Sequence, residues 1–438
     1  MFRSFFHLFR LLTIFFILFK EYVFYRGGNI NNLSHALIKL GPFFVKLGQT
    51  LSTRSDIVGE GVANKLSTLR DKLPPFPTKF AIKIIEQEFG SKLKDLYSEF
   101  NETPVAAASI SQVYKATTLD GKIVAVKILR PNVEKRFARD IELFMWLAKI
   151  INFFHKRSAR LKLVSVINTL ADTVKWEMDF RIEAASASQL KENCCFDQST
   201  YIPVVYWNLT SKRILTIEWI EGISINDNEA LRVAGFDLKV IAANVAVTFF
   251  NQAYRDGFFH ADMHQGNLFV NSKGQIAMVD FGIMGKLNKQ TRIYIAEILH
   301  AFLKRDYIRV AEIHYEAGYI INRKLLDDFV LSCRAIGEQI VGLPANKISV
   351  AKLLGQLFKM TADFNMEVQP QLLLLQKTTM IVEGVGSGLD SEVNMWQLAE
   401  PWIEEWAIDN ISIEAKIRDV AKYYLGKLLS KVYKVDDK

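Results

Sequence analysis

The chain has 438 residues, of which 50% are hydrophobic and 23% charged, and its formal net charge is +8. With only ten prolines, this composition predicts a large folded core and excludes a disordered or low-complexity protein. Three cysteines, at positions 194, 195 and 333, lack the spacing of a zinc site, so we expect reduced thiols that bind no metal.

The first 26 residues are dense in phenylalanine and leucine. Their uncharged run, residues 11–19, is too short to span about 30 Å of hydrocarbon as a helix. No small-residue cleavage site follows, which disfavours a secretory signal. A helix here would bring Arg3, His7 and Arg10 to one face, a pattern that favours a helix lying in the membrane interface. The alternative is a helix packed on the protein's own core.

The positive charge indicates an anionic partner. Basic residues cluster at Arg130, Lys135, Arg136 and Arg139, and again in residues 155–162. Such clusters are usually solvated, but they also suit a negatively charged membrane surface. No nucleic-acid-binding module is recognisable, so nucleic acid is not a predicted partner.

A strand is predicted over residues 122–129, which alternate and follow the turn signal Asp120-Gly121. It carries Lys127, and its hairpin partner would be residues 111–116. The preceding loop, residues 104–110, is rich in alanine. Alanines keep backbone amides available for phosphate but limit the loop's conformations, whereas the alternative is small-residue packing.

A second set of residues has the layout of a phosphoryl-transfer site. Asp262 and Asn267 stand five residues apart in a loop, and a predicted hairpin of residues 268–270 and 276–279 delivers Asp280. Such sites consist of carboxylates and amides that hold Mg²⁺ on the ATP phosphates, with one Asp near the acceptor oxygen.

A helix is predicted over residues 287–302, with Asn288 as its N-cap. It begins directly after Asp280-Phe-Gly282, which leaves almost no activation segment. A protein substrate therefore has no obvious place to lie, which argues against ordinary protein kinase activity.

These motifs resemble the UbiB family of atypical, protein-kinase-like ATPases that serve ubiquinone biosynthesis. The resemblance runs over nearly the whole chain. Two signatures of the family are matched by Lys46-Leu-Gly-Gln49 and Glu177-Met-Asp179, and residues 364–378 and 382–386 resemble its bacterial branch.

The resemblance implies a role for each matched residue. Lys127 is similar to the phosphate-binding Lys, Glu183 to its ion-pair partner, and Asp262 to the catalytic Asp. Asn267 and Asp280 are similar to the Mg²⁺ ligands. The ATP-binding residues implied are Val105, Ala106, Ala107, Ala108, Ser109, Ile110, Ser111, Gln112, Val113, Lys127, Glu218 and Ile220, the last two in the hinge.

The family's Lys-x-Gly-Gln helix implies a regulatory lid over the nucleotide site, made of Lys46, Gln49, Glu177 and Asp179. We expect Lys46 to pair with Glu177 or Asp179 as a contact between lobes. The alternative is ordinary helix packing with a solvated lysine.

The resemblance implies an α+β, bilobal protein-kinase-like fold with a small β-rich N-lobe and a helical C-lobe. We expect a membrane-associating helix in residues 1–26, a helical extension in 27–100, the N-lobe in 101–222 and the C-lobe in 223–438. Bacterial relatives often carry further apolar segments at the C-terminus, whereas residues 416–438 are polar and lysine-rich.

Three departures from the family or kinase pattern stand in or near the motifs. Gln265 replaces a common Pro, and Ser111 replaces Gly or Ala, so we expect altered tuning without loss of chemistry. Ala261 stands where protein kinases place the Arg that accepts a phosphorylated activation loop.

The sequence thus predicts an ATP- and Mg²⁺-dependent atypical kinase or ATPase that supports ubiquinone biosynthesis. We expect it on the cytoplasmic face of the bacterial inner membrane, in contact with lipids, isoprenoid quinone precursors and other ubiquinone-biosynthesis enzymes. Two alternatives remain open: a soluble small-molecule kinase of the aminoglycoside phosphotransferase type, and a non-catalytic, ATP-gated lipid-binding scaffold.

Overall fold

The computed structural model describes residues 2–24, 32–52, 61–62, 66, 74–154, 163–341, 349–364, 366, 369–392, 394, 401–402 and 405–406. The chain divides into two units. Unit 1 comprises residues 1–185 and 204–219, and unit 2 comprises residues 186–203 and 220–438. Helices and mainly antiparallel sheets are both present, as the α+β fold class requires, with one parallel strand pair in unit 2.

Most of the helices of unit 1 precede or interrupt its sheet. They are α1 (Phe2–Phe24), α2 (Asn32–Leu40), α3 (Pro42–Ser52), α4 (Thr78–Phe89), α5 (Val133–Phe154), α6 (Leu163–Glu177) and α7 (Phe180–Asn193), the last of which continues into unit 2 from Ser186.

The sheet of unit 1 contains the strand predicted to carry Lys127. Its strands are β1 (Tyr97–Phe100), β2 (Ala106–Ala107), β3 (Ser111–Thr118), β4 (Ile123–Leu129) and β6 (Ile214–Glu218). Their order is β1-β3-β4-β6, all antiparallel, with β2 added to the edge of β3. The predicted β3–β4 hairpin is therefore confirmed.

Two apolar cores cover the two faces of this sheet because its side chains alternate. One face places Val124, Val126 and Ile128 against α4. The other places Leu129 and Leu215 in a cluster with buried residues of α2, α3, α5, α6 and α7. The N-terminal helices therefore contribute directly to the core of unit 1.

Helix α1 packs against α5 through its polar residues. The guanidinium of Arg10 binds both carboxylate oxygens of Asp140 at 3.0 Å and donates to the Leu40 carbonyl at 3.2 Å. The ring of His7 packs on that of Trp146, with centroids 5.5 Å apart. The side chain of Arg3 lies outside the described part of the chain.

The opposite face of α1 is apolar and exposed to solvent. Its side chains are between 37% and 66% exposed, namely Leu8, Phe9, Leu12, Phe15, Phe16, Leu18 and Phe19. Ile14 and Ile17 of the same helix pack against the apolar cluster of unit 1, so α1 differs from an ordinary surface helix in its exposed phenylalanines and in the partly buried Arg10. In the part of the chain that the structure describes, no helix is long and apolar enough to cross a membrane.

Unit 2 contains a small sheet, a two-stranded ribbon and most of the remaining helices. The strands are β5 (Thr200–Tyr201), β7 (Gly222–Ser224), β8 (Phe258–His260), β9 (Leu268–Asn271), β10 (Ile276–Met278) and β11 (Met284–Lys286). The sheet has the order β5-β10-β9-β7, and the ribbon pairs β8 with β11. The predicted hairpin of residues 268–270 and 276–279 is confirmed as β9–β10.

The helices of unit 2 surround these strands. They are α8 (Asn228–Val233), α9 (Leu238–Phe250), α10 (Lys289–Leu303), α11 (Tyr307–Glu316), α12 (Leu326–Val341), α13 (Val350–Asp363) and α14 (Pro370–Leu389). Helix α9 packs against α14 and continues into the π-helical turn Asn251–Asp256, which ends at Gly257 with φ of 69°.

The Arg10–Asp140 pair provides a stability test. We expect Arg10→Met to lower the free energy of unfolding by about 1.5–3 kcal/mol, because Asp140 is only 2% exposed and loses its charged hydrogen bonds. Arg139 also contacts Asp140, but its side chain is 54% exposed, so Arg139→Met should cost about 0–1 kcal/mol. Urea unfolding measures both, and equal losses would contradict the assignment.

Candidate functional site

The side chain of Lys127 is fixed by two partners within unit 1. Its Nζ donates to Oε1 and Oε2 of Glu183, at 2.8 and 3.0 Å, and lies 5.4 Å from the centroid of the Phe180 ring. Strand β4 supplies the lysine and α7 supplies both partners. The side chains of Lys127 and Glu183 are 16% and 8% exposed. This is the geometry of a lysine held in one position to meet a phosphate.

Part of the alanine-rich loop is hydrogen-bonded to the neighbouring strand β3. The amides of Val105 and Ala108 donate to the carbonyls of Val113 and Ser111, so they are not available to a phosphate. Ala106 and Ala107 form strand β2 against Val113 and Gln112. None of the loop alanines has a positive φ, which fits alanine in place of glycine.

Gln112 cannot offer its side chain to a nucleotide in this structure. It is fully buried, accepts from the Phe76 amide at 2.8 Å, and donates to the Phe76 carbonyl and the Tyr114 hydroxyl. Its role is to attach the segment before α4 to β3. The predicted contribution of Gln112 to ATP binding is therefore restricted to its backbone.

Ser111 and the hinge residues have different environments. The Ser111 hydroxyl is buried without a hydrogen-bond partner. Ser111 pairs with Leu129, which is two residues from Lys127 on β4, so Ser111 and Lys127 share a sheet face. Glu218 ends β6, and its carboxylate accepts from the Val204 amide at 3.0 Å. Ile220 belongs to unit 2.

The family signature motifs form an ion pair within unit 1. Lys46 Nζ of α3 lies 2.6 Å from Glu177 Oε1 of α6. Asp179 instead accepts hydrogen bonds from Arg181, which hold the pKa of Asp179 below its ordinary value. The predicted pairing of Lys46 with Glu177 is therefore confirmed, although both residues belong to unit 1 and the pair does not connect the two units. The side chain of Gln49 lies outside the described part of α3.

In unit 2, the loop that follows β8 is positioned by His260. The imidazole Nε2 lies 3.1 Å from the Val279 carbonyl, and Nδ1 accepts from the Asp262 amide. Nδ1 therefore carries no proton, and Nε2 donates. Complete burial lowers the pKa of His260, so the ring is neutral at neutral pH. The His260 amide donates to the buried Gln252 side chain.

The predicted metal ligands, Asn267 and Asp280, are in or next to the two segments that His260 joins. Asn267 Nδ2 donates to the Asp262 carbonyl at 3.1 Å, and the Val279 amide donates to the Asn267 carbonyl at 3.0 Å. Asp280 has φ of 65°, which few residues other than glycine adopt. Such backbone strain is characteristic of functional sites.

The donor set fits Mg²⁺ held partly by a substrate. An amide oxygen and a carboxylate are hard ligands, and Mg²⁺ in phosphoryl-transfer sites uses one or two carboxylates together with the substrate phosphates. Among the described residues, no group of three or more His, Cys, Asp or Glu side chains could hold a metal. Asn267 and Asp280 would therefore need the nucleotide to complete the coordination.

The segment after Asp280 is as short as the sequence predicts. Strand β11, which the sequence analysis did not predict, pairs with β8 over Met284–Lys286. The Asn288 side chain then accepts from the Thr291 amide at 2.8 Å and caps α10. The predicted N-cap is confirmed, and α10 begins at Lys289, two residues later than expected.

Sequence reasoning missed two side chains beside the Asp262 carboxylate. His264 Nε2 lies 3.7 Å from Oδ2, and Lys377 Nζ of α14 lies 3.7 Å from Oδ1. The spacing of His264 from Asp262 was visible in the loop. Lys377 stands more than one hundred residues away, and no local pattern pointed to it.

Family models match two parts of the chain. Residues 68–314 match the ABC1 atypical kinase-like domain, and residues 333–394 match the UbiB helical domain. The known structure of Rv3197 from Mycobacterium tuberculosis, solved with erythromycin, has a TM-score of 0.55 to this chain at 21% identity. The similarity covers 81% of this chain and 89% of that one.

Relatives named "Probable protein kinase UbiB" match most of the chain. The protein from Pseudomonas paraeruginosa is 40% identical over 388 residues, which are 88% of this chain and 73% of that protein. The protein from Marinobacter nauticus is 39% identical over 421 residues, covering 94% of this chain and 76% of that protein. The fold is therefore protein-kinase-like. Within that class, the chain belongs to the UbiB family of atypical kinases.

The close packing of Gly285 in β11 against Phe259 in β8 provides a test of how these two strands are positioned. A Cβ on Gly285 would lie 2.1 Å from Cζ of Phe259, which is fully buried in β8. We expect Gly285→Ala to lower the free energy of unfolding by about 1–3 kcal/mol, as overpacking does.

Gly384→Ala is the matched control, because Gly384 lies in α14 with nothing within 4 Å of its Cβ position. That change should stabilise the protein by about 0.5–1 kcal/mol through helix propensity. Thermal unfolding of both variants tests the packing, and a neutral Gly285→Ala would contradict it.

Proposed function

We propose that this chain is a Mg²⁺- and ATP-dependent atypical kinase or ATPase that supports ubiquinone biosynthesis. The observation that carries the proposal is the pairing of Lys127 with Glu183, at 2.8 and 3.0 Å, in a largely buried position. A buried ion pair adds little net stability compared with an apolar pair, so stability alone does not account for a lysine and a glutamate at this position. Membership of the UbiB family supports the link to ubiquinone.

Each residue would contribute to phosphoryl transfer through charge and position. Lys127 would bind the ATP phosphates, with Glu183 keeping its ammonium in place. Asn267 and Asp280 would hold Mg²⁺, which neutralises charge on the phosphates. The Asp262 carboxylate, which is 28% exposed, would accept the proton of the attacking hydroxyl.

The acceptor is water or a small molecule in this proposal. Only β11 and a few loop residues separate Asp280 from the N-cap of α10, so the segment that would seat a peptide in an ordinary protein kinase is very short. Isoprenoid quinone precursors are the substrate or ligand class that we propose, on the strength of the family.

The site is tested by two substitutions. We expect Asp280→Asn to abolish measurable binding of ATP in the presence of Mg²⁺, because a metal ligand loses its charge. Lys127→Ala should weaken ATP binding about 10- to 100-fold, as expected for loss of a charge-assisted hydrogen bond. Isothermal titration calorimetry measures both affinities.

Controls separate lost binding from lost folding. Lys122→Ala changes an exposed lysine just before β4 and should bind ATP as the wild type does. Lys127→Ala leaves the Glu183 carboxylate buried and unpaired, so the double variant Lys127→Ala with Glu183→Gln should recover stability but not affinity. Wild-type affinity in Asp280→Asn and in Lys127→Ala would disprove the site.

We also propose that α1 attaches the protein to the cytoplasmic face of the bacterial inner membrane, where lipids, quinone precursors and other ubiquinone-biosynthesis enzymes would be its partners. The support is the exposed apolar face of α1, together with the buried Arg10–Asp140 pair that fixes its orientation. Helix α5 adds the exposed basic side chains of Arg136, Arg139 and Lys149, which suit anionic lipid headgroups. The basic residues 155–162 and the C-terminal residues 416–438 lie outside the described part of the chain.

Membrane attachment is tested with vesicles of phosphatidylethanolamine and phosphatidylglycerol. The double variant Phe9→Ser with Phe16→Ser should reduce cosedimentation at least about tenfold, because burying each phenylalanine contributes about 1.5–3 kcal/mol. Phe196→Ser is the control, since Phe196 is 93% exposed in unit 2 and should not matter. Unchanged cosedimentation of the double variant would contradict the proposal.

A further inference from the structure

The helical domain reaches the candidate catalytic loop through α14. The hydroxyl of Thr378, which is fully buried, lies 3.2 Å from the Ala261 carbonyl and 2.8 Å from the Leu374 carbonyl of its own helix, so its single proton is shared between the two acceptors. One helical residue earlier, Lys377 directs its ammonium to within 3.7 Å of Asp262 Oδ1. Further along α14, a Cβ on Gly388 would lie 3.2 Å from Nε2 of Gln265. The helix therefore lies closely against this loop at three points.

The chemistry of the loop creates a need for positive charge at this place. Under the proposed function, the Asp262 carboxylate approaches a phosphoryl group that is itself negatively charged. Residues 260–270 contain two histidines but no lysine or arginine. His264 Nε2 lies 3.7 Å from Oδ2, and burial keeps His260 neutral. Mg²⁺ and Lys127 would neutralise the phosphates, but neither is shown beside the Asp262 carboxylate, whereas the ammonium of Lys377 lies 3.7 Å from its other oxygen.

The two groups do not form a buried structural pair, and each is exposed enough to reach a ligand. The side chains of Lys377 and Asp262 are 43% and 28% exposed. At 3.7 Å, the ammonium and the carboxylate are too far apart for a hydrogen bond, and both can still reach a ligand. Contacts of this kind in an unliganded site are often long and shorten when substrate binds.

We infer that Lys377 contacts the terminal phosphoryl group of the nucleotide and holds the Asp262 carboxylate beside it. The UbiB helical domain thereby supplies a positioning residue to the kinase-like domain. This inference rests on the proposed function, because it assumes that ATP is the ligand of the loop. It assigns to α14 a contact that distinguishes ATP from ADP, since ADP lacks the group that Lys377 would bind.

The experiment compares ATP and ADP affinities in the presence of Mg²⁺. Lys377→Met should lower the ratio of ATP affinity to ADP affinity about tenfold, the size expected for one lost charge-assisted contact. ADP affinity should stay near that of the wild type. Lys377→Arg keeps the charge and should recover most of the ratio. In Lys377→Met, the turnover number should fall by a larger factor than the factor by which the Michaelis constant changes.

Lys352→Met is the matched control, because Lys352 is an exposed lysine on α13 of the same helical domain. It should leave the affinity ratio and turnover unchanged. Thermal unfolding of Lys377→Met should match the wild type, since the side chain is nearly half exposed.

The possible failures are distinguishable. If the wild-type protein binds neither ATP nor ADP, the proposed function is wrong and the inference is wrong with it. If the wild-type protein binds ATP and Lys377→Met retains the wild-type affinity ratio, only the role of Lys377 is overturned. An equal loss of ATP and ADP affinity would assign Lys377 to general support of the loop and would also overturn the inference.

Discussion

The geometry of the candidate site in unit 2 depends on one buried, neutral imidazole. His260 accepts from the amide of Asp262 and donates to the carbonyl of Val279, the residue before Asp280. A single ring thereby fixes the two chain segments that carry the predicted catalytic and metal-binding carboxylates. A charged ring could not serve, because a protonated Nδ1 could not accept the hydrogen bond from the Asp262 amide and because burial penalises the imidazolium. Protonation of this buried group in acid would therefore oppose the native arrangement.

Unit 1 uses ion pairs to connect segments that lie far apart in sequence. Lys127 binds Glu183, Lys46 binds Glu177, and Arg10 binds Asp140. In each pair, a carboxylate of the inserted helices α5, α6 or α7 receives a cation from another element. Breaking such a partly buried pair costs more than an exposed one, because the remaining charge stays desolvated. The N-terminal helices are therefore part of this unit. They form ion pairs with α5 and α6, and the next helix, α7, carries Glu183, which binds Lys127.

Both faces of α1 contain apolar residues. Ile14 and Ile17 pack on the core of unit 1, the partly buried Arg10 fixes the orientation of the helix, and the phenylalanines on the other face are exposed to water. Contact with a membrane would remove that exposure. The proposed attachment and the internal ion pair are connected, because the Arg10–Asp140 pair keeps the phenylalanines on the outer face of α1. The helical domain has a comparable double role, since α14 packs in the core of unit 2 and also contacts the loop at Ala261.

The sequence by itself determined the strands and turns whose signals are local. Alternation predicted β4 and with it the hairpin partner β3, the turn residues 271–274 predicted the β9–β10 hairpin, and Asn288 predicted the start of α10. Motif spacing also predicted the family and hence the kinase-like fold, because charged residues at fixed separations are visible without coordinates. The resemblance to that family implied Glu183 as the partner of Lys127, and the structure confirms this pair.

Only the tertiary structure decided the contacts between segments with no shared local pattern. Gln112 could not be recognised as buried until the Phe76 segment packed against β3, and periodicity could not show which face of α1 would meet α5. Lys377 reaches Asp262 only because Thr378 and its neighbours pack α14 on the loop. Helix periodicity defines the faces of an element, but which partner each face meets depends on the packing of the whole core.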